Sequence, residues 1–167
     1  MDNSLNSEAL RTIGADLDLR GIKTFAIRCE ANRFIVDAGY QSPPAATPVT
    51  LHYTQMDIEE LDRKAREQSD YRSAIRSFIY LSEILSSLAT YVGDKGARLL
   101  SLSNNVSTEA MPVIDIEYET DQRDPRRERL SGPAIYALCV RDHKRRVRTR
   151  NLNDSRLTRF SSMPERA

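Results

Sequence analysis

Apolar positions recur at helical or strand spacing along most of the chain. Leu10, Ile13 and Leu17 fall three and four residues apart, which predicts a first helix capped by Ser4 or Ser7 and stopped by Gly21. Phe25, Ile27 and Cys29 then alternate with Thr24, Ala26 and Arg28, as in a strand with one buried face. Ala31-Asn32-Arg33 reads as a turn, Phe34-Ile35-Val36 as a second strand and the proline-bearing stretch 41–48 as a loop. Val49, Leu51 and Tyr53 give a third strand. Thr54 caps a helix over about 56–68, with Ile58, Leu61 and Ala65 on one side.

The second half repeats the order. Tyr71, Ile75, Phe78, Leu81, Leu85, Leu88 and Val92 form a stripe spaced by threes and fours, which predicts a long buried central helix over about 71–92, ended by Gly93 and Gly96. Strands are expected at 97–103, at Ile114, Ile116 and Tyr118, and at 126–130. Ser131 caps a last helix with Pro133 in its first turn and Ile135, Leu138 and Cys139 inward, running to about Arg146. At a constant offset of 75, Leu10 matches Leu85, Ile13 matches Leu88, Leu17 matches Val92, Gly21 matches Gly96, Lys23 matches Arg98, Phe25 matches Leu100 and Ile27 matches Leu102. With two residues of slip, Pro48 matches Pro125, Thr54 matches Ser131, Ile58 matches Ile135 and Leu61 matches Leu138. The expected fold is therefore α+β, with two tandem α-β-β-β-α units (about 5–68 and 71–146) forming one domain 1–146 in which an antiparallel sheet packs against helices. A basic, flexible tail is expected over 147–167. Leu81, Leu85, Leu88 and Val92 are expected to be buried on a sheet formed by Phe25, Ile27, Leu100, Leu102, Ile114 and Ile116.

Composition adds little: 40% apolar and 29% charged residues in 167 suit an ordinary globular domain. No eighteen-residue apolar run is present and Met1-Asp2-Asn3-Ser4 lacks the layout of a secretion signal. The expectation is a cytoplasmic protein with no membrane span. Charge is more telling. From Arg141 onward nine basic residues face three acidic ones, a net of +6, so with a whole-chain charge of +1 the preceding residues carry −5.

The chemistry-bearing residues mostly read as structural. Cys29 and Cys139 sit at core positions, where a thiol behaves as a small hydrophobe. His52 and His143 lack a nucleophile signature nearby in sequence. Asp115, Glu117, Glu119 and Asp121 form a carboxylate ladder, a metal or general-acid site in one reading and a solvated face paired with Arg126, Arg127 and Arg129 in the other. The second is preferred. Asp57, Glu59, Glu60 and Asp62 suit the start of a helix. Gly93-Asp-Lys-Gly96 lacks the spacing of a phosphate loop. The candidate contact residues are Arg141, Lys144, Arg145, Arg146, Arg148 and Arg150, a dense cationic run able to meet an anionic partner or phosphate.

The order α-β-β-β-α resembles that of double-stranded-RNA-binding domains, whose second helix opens with a basic cluster. Here the matching stretch, Gln55 to Asp62, is acidic, and Ser131 to Ile135 is not basic either. The overall order also resembles that of type III secretion chaperones, and this resemblance implies a dimeric protein-binding module. The expected function is accordingly a non-enzymatic binding or adaptor protein acting on an unidentified protein partner, without a cofactor and with a homodimer allowed. The alternative is a nucleic-acid binder that uses the basic segment for sequence-independent contacts with RNA or DNA.

Overall fold

The computed structural model describes residues 5–40, 48–67, 80–105 and 113–161. Among these the elements run α1 Ser7–Leu19, β1 Ile22–Glu30, β2 Arg33–Tyr40, β3 Val49–Tyr53, α2 Gln55–Glu67, α3 Leu81–Asp94, β4 Arg98–Asn105, β5 Val113–Glu119, β6 Pro125–Leu130 and α4 Gly132–Ser161. The protein is α+β: among the described residues, four helices accompany a six-stranded antiparallel sheet of order β3-β2-β1-β4-β5-β6. α1 and α3 pack against each other, with α2 beside α1 and β3, and α4 beside α3.

Both halves run helix, three strands, helix, and they meet at the middle of the sheet. There β1 pairs with β4 through Ala26–Ser103, Ile27–Leu102 and Arg28–Ser101. Leu10, Ile13, Leu17, Leu85, Leu88 and Val92 are each 0% exposed, so all six helix positions related by the offset of 75 lie in the core. Gly21 and Gly96 follow the C-caps Arg20 and Lys95 with φ of 68° and 65°, a left-handed conformation that closes a helix and favours glycine.

Four local expectations are corrected. The first helix is capped by Asn6, whose side chain accepts from the Ala9 N–H at 2.8 Å, whereas Ser7 is already helical and Ser4 lies outside the described residues. The central helix begins at Leu81 because Tyr80 is extended (φ −77°, ψ 144°), so no helix runs unbroken over 71–92; Tyr71, Ile75 and Phe78 lie outside the described residues. The open N–H groups of Leu81 and Ser82 are met by Asp18 of α1 at 3.1 and 3.3 Å, a cap supplied from the other half of the chain. In β4 a register shift between Leu99 and Ser101 turns Leu99 into the core (5% exposed) and leaves Leu100 half-buried. Finally, α4 continues to Ser161, well past the expected end near Arg146. The remaining expected core residues, Phe25, Ile27, Leu102, Ile114 and Ile116, are all buried. Thr54 caps α2 as expected: its Oγ accepts from the Asp57 N–H at 3.2 Å while Asp57 accepts from the Thr54 N–H at 2.7 Å.

Candidate functional site

α4 changes character along its length. Its first half is docked: Ile135 and Cys139 are 1% exposed, Leu138 is half-buried, and Asp142 is 7% exposed. The Ser87 hydroxyl of α3 donates to Asp142 at 3.1 Å. Arg146, next on the same stripe, donates to both carboxylate oxygens of Glu83 and lies 3.6 Å from Asp142. Arg11 of α1 closes this cluster, at 2.8 Å from Glu83 and 2.7 Å from Ser86 Oγ. Arg141 and Arg145 reach Asp94 at the end of α3, at 3.8 and 3.0 Å. Arg145 holds the Asp94 carboxyl below its usual range, chiefly by hydrogen bonding.

Glu83 is 13% exposed at its side chain. Burial pushes its carboxyl up, yet hydrogen bonding from Arg146 and the charge of Arg11 prevail and hold it below the ordinary glutamate value. A depressed folded-state value contributes stability that is present above the unfolded-state value and is lost as pH falls through the folded-state value. Glu83→Gln is therefore expected to flatten the acid limb of the stability profile and to lower stability at neutral pH. Urea unfolding of both chains over a pH series measures this, and parallel acid limbs would contradict it.

Of the six cations singled out in sequence, three thus meet carboxylates of the protein itself. Lys144, Arg148 and Arg150 are exposed, and so is every side chain from Val147 to Asn153. Val147 and Leu152 are 43% and 61% exposed. On a helix, Arg141, Lys144, Arg145 and Arg148 fall at i, i+3, i+4 and i+7 and share one side. Because Asp142 and Arg146 are structural, a truncation meant to remove only the arm belongs after Arg146.

Three of the four ladder carboxylates have an arginine partner, while Asp121 lies on an exposed turn. Asp115 and Arg129 form a two-pronged pair at 2.6 and 2.9 Å, Glu117 lies 3.6 Å from Arg127, and Glu119 meets Arg98 at 2.9 Å. Arg126 departs from the expectation and lies near Asp124 instead, at 3.6 Å. Among the described residues no group of three or more His, Cys, Asp or Glu side chains is arranged to hold a metal ion. Burial pushes the thiols of Cys139 and Cys29 up, away from the reactive thiolate. His52 and His143 are both exposed.

One cluster has no counterpart in the sequence reading. The Lys95 ammonium sits 4.1 Å from the Tyr91 ring centre and 5.0 Å from that of Tyr118, and 3.0 Å from Glu128, which also accepts from the Tyr91 hydroxyl at 2.8 Å. Burial lowers the Lys95 value, but hydrogen bonding with Tyr91 and Glu128 outweighs it and the net direction is up. In the first half Arg20 meets Asp16 at 2.8 Å and Tyr53 donates to Asp16 at 2.6 Å. Each cluster ties a basic helix C-cap to the sheet. The i, i+4 spacing of Tyr91 and Lys95 was the only sequence signal; Glu128 comes from a strand read merely as short.

Comparison with protein-family models, curated proteins and solved structures finds no match in any of the three, so neither resemblance of element order gains support from a match. No described helix is long and apolar enough to cross a membrane.

Proposed function

We propose that the protein is a non-enzymatic binding module whose α4 arm docks on an acidic surface of a protein partner. The observation that carries this is the exposed run Val147–Asn153 on a helix that continues to Ser161. Fifteen residues past Arg146 at 1.5 Å each extend the helix by roughly 20 Å. Lone helices of that length are marginal in water, so the docked half nucleates the arm and a partner would complete its stabilisation. Lys144, Arg148 and Arg150 supply charge, and Val147 and Leu152 supply apolar area.

A protein partner is preferred to nucleic acid for two reasons. Arg141, Arg145 and Arg146 already face Asp94 and Glu83, which shrinks the cationic patch available to phosphate. The rest of the chain carries −5 and would repel a polyanion lying along it. The nucleic-acid reading keeps one favourable observation, the single basic side of Arg141, Lys144, Arg145 and Arg148. The two halves are proposed to be quasi-equivalent repeats, supported by the Ile27–Leu102 pair on the central strands and the 2.7 Å Arg11–Ser86 bond, both joining residues 75 apart. A reducing compartment such as the cytoplasm suits the two free thiols.

Fluorescence anisotropy with random RNA and DNA, at about 50 and 200 mM salt, separates the two readings, because phosphate contacts weaken steeply over that range. The full chain and a chain ending at Arg146 should give the same weak signal. A signal that depends on the arm and collapses at the higher salt would put nucleic acid first.

A further inference from the structure

The sheet has two edges of opposite character. β6 presents Pro125, Arg126, Arg127 and Arg129, a proline and a row of like charges of the kind that keeps an edge strand from pairing with another chain. β3 is Val49-Thr50-Leu51-His52-Tyr53, with no charge on it, and among the described residues no strand lies beyond it. Thr50 and His52 are exposed, Leu51 is half-buried, and the α2 residue Met56, three positions after the strand, is 79% exposed.

We propose that β3 pairs with β3 of a second copy of this chain, giving a twofold dimer with one continuous twelve-stranded sheet, twice the six-stranded sheet of a single chain. In an antiparallel pairing centred on Leu51, leucine faces leucine, Thr50 faces His52 of the second copy, and Val49 faces Tyr53 of the second copy. A β-branched residue opposite an aromatic is a favourable cross-strand pair, and no like charges meet. The helices argue for the same occupant. α2, beside β3, carries Asp57, Glu59, Glu60 and Asp62 in its first half and Arg63, Lys64 and Arg66 with the single acidic residue Glu67 in its second, a net positive half. A twofold axis through β3 sets the two α2 helices antiparallel, so the acidic half of each faces the basic half of the other. The existing Glu60–Lys64 and Asp62–Arg66 pairs are largely exposed, at 2.7 and 2.6 Å, and can be shared across such an interface. An isologous contact needs this self-complementarity. The α4 basic arm lacks it, since two copies of it would repel.

Sedimentation equilibrium over a dilution series tests the proposal. The wild-type chain should approach twice its 19.0 kDa mass as concentration rises. Thr50→Lys with His52→Lys, both at exposed positions, places lysine opposite lysine across the axis and should leave a 19.0 kDa species, with a circular-dichroism melt that matches the wild type's at dilutions where both are monomeric. Amide exchange within β3 of the wild type gives a readout free of any variant, and it should slow as concentration rises. A wild type that stays monomeric, a double variant that stays dimeric, or β3 exchange indifferent to concentration would overturn the pairing.

Discussion

Gly14→Ala is expected to destabilise the fold by about 3 kcal/mol, the upper part of the overpacking range. A methyl group at position 14 would stand 2.6 Å from both the Cα and the N of Ser82 and 2.8 Å from the Leu81 carbonyl carbon. These are backbone atoms at the start of α3, pinned by Asp18, and they cannot rotate aside as a side chain would. Alanine in a helix gains about 1 kcal/mol over glycine, a contribution of opposite sign and smaller size. The clash also pushes α1 off α3, where Leu10, Ile13, Leu85 and Leu88 are fully buried. Chemical denaturation should show a lower midpoint with an unchanged slope. A stabilised Gly14→Ala chain would show that the two helices do not approach at this point.

Leu85→Ala is expected to cost about 2–5 kcal/mol, the loss of a large buried side chain plus the cavity left behind. Leu85 is 0% exposed on the helix that carries the centre of the core. Its helix packs on α1 and touches β4, and Leu85 shares one core cluster with Ile27 and Leu102, so little collapse into the void is expected. A loss under about 1 kcal/mol would contradict the central placement of this stripe.

Much of the fold was legible because its signals are local. Leu10, Ile13 and Leu17, and Leu85, Leu88 and Val92, repeat at helical spacing and lie fully in the core. Asp115 and Arg129 could be paired because a hairpin puts alternate residues on a common side. The failures involve distant partners or missing periodicity. The start of α3 at Leu81 is set by Asp18, sixty-three residues earlier, and no pattern near Tyr80 announces it. The irregularity in β4 exchanges Leu99 for Leu100 although both are leucine, so composition is blind to it. α4 outlasts its apolar stripe: beyond Arg146 the residues are mostly polar, with Val147 and Leu152 as exposed apolar positions, and the hydrophobic period that marked the helix fades while the helix does not. The candidate contacts were half-legible for the same reason. The cationic run is plain in the sequence, but Asp94 and Glu83, which engage Arg141, Arg145 and Arg146, come from another helix.

Nuclease-treated affinity capture from the native cell decides whether the exposed half of α4 holds a protein partner through its cations. The bait chains are the full protein, a chain ending at Arg146, and a full-length chain with Lys144→Glu, Arg148→Glu and Arg150→Glu. All three keep the Glu83–Arg146 and Ser87–Asp142 contacts that fasten α4 to the body. One acidic protein should be retained by the full chain after nuclease treatment, released by added salt, and absent from both altered chains. The same protein retained equally by all three baits, or a capture abolished by nuclease, would contradict it.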